Sequence, residues 1–565
     1  MGAAGAMMLT ACGGGSGSNN NQAKSGGQAI YGETTDWPEN LFPLISAGNA
    51  TSTANIEAEL LPQAFFVEPD FTLQYNKDLL TAEPTTTTSG NTQTITYKLN
   101  PKAVWSDGTP ISAKDFDFSY RMQKSSDQAT GGCADILSTS GYEQIKSVQG
   151  ADNDKTVTVT VSPPYADWKN LFSGAQNPLF PAHLMDKPTQ AEICQEVSAG
   201  WPLAGGLPGE ISGGPWQLKK SNIDTAQQTV ILTPNDKYWG QKPKLARLII
   251  KAVKNDPNTF VPGLKAGEIN AVYPQPQLDM VDQVKKLSPN VTSEVKFGLQ
   301  FEHLDFNTKD PQLADLKVRQ AFALAMDRQE IVDQTVKQFS SDAKVLNNRV
   351  WMSNQPEYKD NAPAQYKQQN TAQAKQLLES DGYTLGSDGI YTKGGKRLSF
   401  KIDTTVNNPL RQTTIEVMIP QLKKAGIEAT FNPNPDIFKG PDKPQSMKAG
   451  GFQIALFAWV GSPFITTLTN PYLTPSSATQ VGQNYSRLGT PQIDALIKQS
   501  GTETDATKQA DLGNQIDKAL WDQMATIPLY QKPTFFAWSS TITGPKTNAT
   551  QAGPLWNAST WSLKQ

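Results

Sequence analysis

The chain has 565 residues, with 50 Lys and Arg against 53 Asp and Glu, a formal charge of −3, so no global field draws it to nucleic acid or anionic lipid. Two histidines and three cysteines argue against a multi-histidine metal centre, a zinc ribbon or a cysteine-ligated iron–sulfur cluster, and no cofactor is expected. At roughly 150 residues per domain the length is that of about three or four domains, and 37% hydrophobic content with 43 Gly and 39 Pro points to a large α/β protein rich in turns.

Residues Met1 to Ala11 are small and apolar. The string Leu9-Thr10-Ala11-Cys12 runs directly into Gly13-Gly14-Gly15-Ser16-Gly17-Ser18 and Asn19-Asn20-Asn21-Gln22, a flexible polar tether. This order resembles a bacterial lipoprotein signal: apolar segment, lipobox, acylated cysteine, spacer. No Lys or Arg precedes Cys12, which departs from that pattern. The resemblance implies lipidation at Cys12 and a place on the extracytoplasmic face of the membrane, held there by lipid alone. No later segment approaches the roughly 20 apolar residues of a bilayer span. Cys133 and Cys194 then form an even pair in an oxidising compartment. Their spacing leaves a disulfide and two separate thiols both open.

Further along, Ile95-Tyr97-Leu99 and Val157-Val159-Val161 alternate as strands do. Between them, Ser112-Ala113-Lys114-Asp115 reads as a capping box opening a helix with Phe116 and Tyr120 on one face. A second such box is expected at Asp327-Arg328-Gln329-Glu330, leading Ile331, Val332 and Val336. Leu398, Phe400 and Ile402 alternate as a strand, and Pro420 is expected to kink the helix that ends at Lys423-Lys424-Ala425-Gly426. The densest apolar run, Ile454 to Val460, has strand length. Thr490-Pro491 is a cap with a first-turn proline. Leu512, Ile516, Leu520 and Met524 mark a buried helix stripe.

From Tyr97, the string Tyr-Lys-Leu-Asn-Pro-Lys-Ala-Val-Trp-Ser-Asp-Gly-Thr-Pro-Ile-Ser-Ala-Lys-Asp-Phe resembles a segment shared by family-5 extracellular solute-binding proteins, the peptide, dipeptide and nickel receptors of ABC importers. Ser212-Gly213-Gly214-Pro215-Trp216, Asn235-Asp236-Lys237-Tyr238-Trp239-Gly240, Phe306-Asn307-Thr308, the run Val318 to Arg328, and Ala374 to Leu378 follow in that family's order. The likeness spans about residues 28 to 565. It implies a periplasmic-binding-protein-like α/β fold with two hinged lobes and an additional inserted domain. The expected division is a signal remnant and tether over 1–27, a discontinuous first lobe over 28–56, 183–297 and 527–565, the inserted domain over 57–182, and the second lobe over 298–526.

The same resemblance implies where a ligand would sit. Trp459-Val460-Gly461-Ser462 matches the place where the family's dipeptide receptors carry Trp-x-Gly-Asp, whose carboxylate holds the peptide ammonium. Ser462 cannot supply that charge-assisted hydrogen bond, about 1.5–3 kcal/mol, so longer peptides, N-blocked compounds or a neutral solute fit better. Trp459 offers a flat face for stacking, and Arg411, just after Asn408-Pro409, resembles family arginines that take a ligand carboxylate. Glu33, Thr35, Asn49 and Thr51 lie in the region that lines the family's cleft, and Phe301 and His303, before the Leu304 to Asn307 piece, are candidates to face it. Trp105, Gly214, Trp216, Arg319, Asp327 and Arg328 are assigned to the scaffold.

No Gly-x-Ser-x-Gly elbow, His-Glu-x-x-His or Walker-type loop occurs. The expectation is a monomeric binding protein, not an enzyme, that captures a peptide or peptide-like solute and hands it to separate ABC permease subunits. The alternatives are an oligosaccharide or other polar solute, or an envelope sensor with the same fold.

Overall fold

The computed structural model of the chain describes residues 26–174, 177–478 and 480–564; Cys12 and its tether lie outside these. A ten-stranded mixed sheet runs through the molecule. Its far end is Glu428–Pro433, Ser399–Thr404 and Ile454–Val460, its middle is Val291–Phe306 and Thr526–Ser539, and its near end is Ala271–Val272, Gln28–Glu33, Arg247–Ala252, Thr229–Pro234 and Trp216–Asp224. In the division expected from the sequence, the near end falls in the first lobe and the far end, with its helices, in the far lobe. A separate antiparallel four-stranded sheet, Thr85–Ser89, Thr92–Lys98, Thr156–Val161 and Ile145–Ala151, lies within the segment 57–182 expected as the inserted domain. The architecture is therefore mixed α/β with several lobes.

Local signals explain many elements. Ser112 caps helix Ala113–Gln123 with the reciprocal Asp115 contact of a full capping box. Thr490 caps Pro491–Thr502, and Gly426 adopts φ 79° after helix Pro409–Lys424. One expectation differs. At Asp327 only half the box forms: Asp327 accepts from the Glu330 N–H, but the Glu330 side chain turns away to accept from Gln421. Helix Arg328–Gln334 is short, and Val336 falls in a separate 3₁₀ turn. Pro420 lies inside helix Pro409–Lys424, which continues past it to Lys424. Pro420 and Glu416 are both exposed, so water can meet the carbonyl that the missing N–H leaves free.

One apolar core holds the first lobe and the inserted domain together, with Tyr31, Phe42, Trp105, Tyr97, Phe172, Trp216 and Trp561 all buried in it. Cys133 and Cys194 are joined by a disulfide, which ties helix Gln190–Ala199 to the inserted domain. A second core fills the far lobe beneath Phe306, Phe322, Phe400 and Ile454, and continues along the central strands to Phe260 and Met280.

The two middle strands join the lobes. Residues 291–297 pair with 533–539, and residues 301–305 pair with 526–531. Register is broken between Phe297 and Phe301 and again between Glu302 and His303. Such irregularities are where a strand pair bends most readily. At this crossing, a Cβ on Gly298 would lie 1.7 Å from the Ala549 carbonyl oxygen, so only glycine fits.

Candidate functional site

Strand Ile454–Val460 runs antiparallel to residues 300–306, placing Phe301 opposite Trp459 and His303 opposite Phe457. Because side chains alternate between faces, these four share one side of the sheet. The His303 ring lies 5.9 Å from Trp459 and within 16° of parallel. Tyr485 lies 5.8 Å from Trp459 and within 9° of parallel. Phe457 meets Trp459 edge-on at 5.1 Å. Trp459 is thus half-buried in an aromatic cluster that fixes its ring and covers part of its surface. His303 is fully buried, with neither ring nitrogen hydrogen-bonded among the described residues; its Nε2 is 3.4 Å from Asp305 Oδ1.

Beyond Trp459 the chain crosses the junction. The Gly461 N–H donates to the Leu299 carbonyl at 2.7 Å, and a Cβ there would sit 2.6 Å from that oxygen. Ser462 is buried, its Oγ 2.5 Å from Thr467 Oγ1 and accepting from the Phe464 N–H at 3.4 Å. No carboxylate is among its hydrogen-bond partners.

The opposite face of strand Val291–Phe306 carries charge at Glu302. Arg411, near the start of helix Pro409–Lys424, donates from Nε to both oxygens of Glu302 (3.1 and 3.2 Å) and from Nη2 to Oε1 (3.0 Å). Its Nη1 donates to Thr405 at 2.9 Å. Lys532 Nζ is 3.6 Å from Glu302 Oε1. All three are buried, two cations against one carboxylate. Burial alone would raise the Glu302 carboxyl, but Arg411 and Lys532 outweigh it and hold it below the usual range. Desolvation pushes the Lys532 ammonium down to about 8, against the pull of Glu302. The guanidinium assigned to a ligand carboxylate is therefore already occupied by an internal one.

In the first lobe, Glu33 ends strand Gln28–Glu33 and is buried. Its Oε1 accepts from the Thr35 N–H (2.9 Å) and hydroxyl (2.8 Å), and its Oε2 accepts from Asn55 at 2.7 Å. Desolvation raises its pKa in spite of these bonds. Glu33 and Thr35 thus brace each other, while Asn49 and Thr51 are exposed at the start of helix Thr51–Glu57. None of the described hydrogen bonds joins this group to the Trp459 segment. The first lobe reaches that segment instead through Gln551, which donates to the Val460 carbonyl at 3.0 Å. The structure therefore brings Phe301, Trp459 and Ser462 to one junction, puts Arg411 on its charged side, and leaves the Glu33 group on the other lobe.

Glu302, Lys532, Tyr485 and Asp167 were not singled out in the sequence. Glu302 and Lys532 lie in strands with other polar residues, Gln300, His303 and Asp305 near the first and Gln531 and Thr534 near the second, so neither stands out locally. Among the described residues no His, Cys, Asp or Glu cluster could hold a metal, and no helix is long and apolar enough to cross a membrane.

The profile of "Bacterial extracellular solute-binding proteins, family 5 Middle" matches residues 76–480. The oligopeptide-binding protein OppA of Mycobacterium tuberculosis is 30% identical over 512 residues, 90% of this chain and 80% of its own length. A probable monoacyl phosphatidylinositol tetramannoside-binding protein, LpqW, of the same species is 24% identical over 410 residues, 67% of this chain and 60% of that protein. Among solved structures, the periplasmic EDTA-binding protein EppA superposes with a TM-score of 0.85 at 24% identity, covering 96% of this chain and 97% of that one. The oligopeptide-binding protein AppA of Bacillus subtilis, solved with a nonapeptide, gives 0.78 at 22% identity, covering 96% and 100%. These two establish the shared fold. The chain belongs to the family-5 bacterial extracellular solute-binding proteins.

Proposed function

We propose that the protein is a receptor, not an enzyme, that captures a peptide or peptide-like solute between its lobes and delivers it to the permease of an ABC transporter, anchored to the outer face of the cell membrane through a lipid on Cys12. The observation that supports this reading is the loss of register between the two paired middle strands at 297–303, beside the Trp459–Ser462 segment, which suits a hinge between two lobes. Such a clamp closes on a ligand by stabilising one of two lobe arrangements. The oligopeptide-binding relatives support a peptide as the solute. With Ser462 uncharged and Arg411 occupied, the charged ends of a dipeptide have no ready partners at these positions. Peptides longer than two residues, gripped along their backbone, suit the site better.

Calorimetric titration with peptides of graded length tests this. Peptides of more than two residues are expected to bind with dipeptides weaker, and Trp459→Ala should weaken binding at least tenfold, a larger loss than its lost aromatic contacts cost in folding stability. Failure of every peptide to bind would remove the peptide reading. A second reading, a sugar-bearing solute, is favoured by the tetramannoside-binding relative; binding of oligosaccharides in the same titration would support it.

A further inference from the structure

The inserted domain touches the far lobe directly. After strand Thr156–Val161 the chain turns through Tyr165, Ala166 and Asp167 to meet Ile465–Thr469. Asp167 Oδ2 accepts from both the Thr466 N–H (2.8 Å) and the Thr466 hydroxyl (2.7 Å). Since the Thr466 hydroxyl proton goes to Asp167, the Tyr165 hydroxyl, 3.0 Å away, must donate to Thr466. Ser140 Oγ lies 3.4 Å from the Tyr165 oxygen and accepts from Asn470 at 3.5 Å. One chain of donors and acceptors, Asn470 to Ser140 to Tyr165 to Thr466 to Asp167, thus crosses the boundary three times. Beside it the Ala166 N–H donates to the Gly501 carbonyl at 2.9 Å.

These groups are buried: Tyr165 is 1% exposed, Thr466 6% and Asp167 7%. The turn is also held from behind. The Tyr165 N–H donates to the buried Gln93 side chain at 2.9 Å, and its ring occupies the space where a Cβ on Gly141 would stand, 2.3 Å away. A rigid arm therefore presents a fixed acceptor to a far-lobe turn. That turn is continuous with the candidate site, since Thr467, the residue after Thr466, holds Ser462.

We infer that the Tyr165–Asp167 turn of the inserted domain is a latch, fastening onto Thr466, Asn470 and Gly501 so that the closed arrangement of the far lobe is held by protein–protein hydrogen bonds in addition to any solute. The inserted domain is thereby a third arm of the clamp. A desolvated hydrogen-bond network loses much of its stabilisation when one acceptor is removed, because the remaining donors are left unpaired. Opening then costs the latch as well as the solute contacts, which slows release. The inference does not depend on what the solute is.

Amide hydrogen exchange on the solute-free protein, compared with Asp167→Ala and Thr466→Val, tests it. The Ala166 and Thr466 amides are expected to exchange at least tenfold faster in both variants, with the strands of the central sheet unchanged. Asp167→Asn keeps an acceptor oxygen and should restore most of the protection, even if Asp167→Ala folds poorly. If these amides exchange as fast in the wild type as in the variants, or if the variants leave their protection intact, the latch is overturned. Peptide titration is a separate readout, so loss of the peptide reading leaves this result standing.

Discussion

Two buried carboxylates sit where the lobes meet, and they are satisfied in opposite ways. At the hinge, Glu302 faces two cations, Arg411 and Lys532. At the latch, Asp167 is served by neutral donors, among them the amide and the hydroxyl of Thr466. Attraction overcomes desolvation at Glu302, whose pKa is lowered. Desolvation prevails at Asp167, whose pKa is raised in spite of the Thr466 bonds. A buried ion pair fixes its members strongly, because removing one leaves an uncompensated charge. An acceptor served by neutral donors can be made and unmade at lower cost, which suits a contact that must open.

The largest test of that contrast is Glu302→Ala. It leaves Arg411 and Lys532 buried without a counter-charge, and chemical denaturation should show a loss of about 3–5 kcal/mol. An effect under about 1 kcal/mol would mean that the cations find water or other partners.

Lys532→Met removes the surplus charge and leaves the Glu302–Arg411 pair neutral overall. With the Lys532 pKa lowered from 10.5 to about 8, the native state binds fewer protons than the unfolded chain between those values. Wild-type stability should therefore rise with pH across that window. The variant should be more stable than wild type near pH 7, by on the order of 3 kcal/mol, and its advantage should shrink as pH rises from about 8 to 10.5. A pH-independent difference would show that Lys532 is not a buried ammonium.

Ser462→Asp moves charge to the latch side, where no cation waits. A solute ammonium reaching this position would form a charge-assisted hydrogen bond, and free-amine peptides should gain about 1.5–3 kcal/mol over N-acetylated ones. No discrimination would place the solute's amino end elsewhere. The smallest effect is expected for Asp167→Asn, about 1 kcal/mol or less in closure or stability, because a single oxygen already accepts both Thr466 donors. A loss as large as that of Glu302→Ala would erase the contrast.

Features set by adjacent residues were legible in the sequence. The Ser112–Asp115 box, the Thr490-Pro491 start, the left-handed Gly426 and strand Ile454–Val460 each depend on a few neighbours. The half-formed box at Asp327 shows the limit, since Glu330 is drawn off by Gln421, 91 residues away. The same distance hides the site. Arg411 was visible as a guanidinium at a helix start, but its partner Glu302 lies 109 residues back. Asp167 gives no local hint of Thr466, 299 residues on. Periodicity reports which face is apolar, not which buried charge will be met by which distant donor.

The central claim, capture of a peptide between the lobes, is tested most directly by what the protein carries out of the cell. Purified without unfolding, then denatured, it should release small molecules that mass spectrometry identifies as peptides recurring between preparations. Recovery of oligosaccharides or glycolipid headgroups in their place, with no peptide among them, would contradict it.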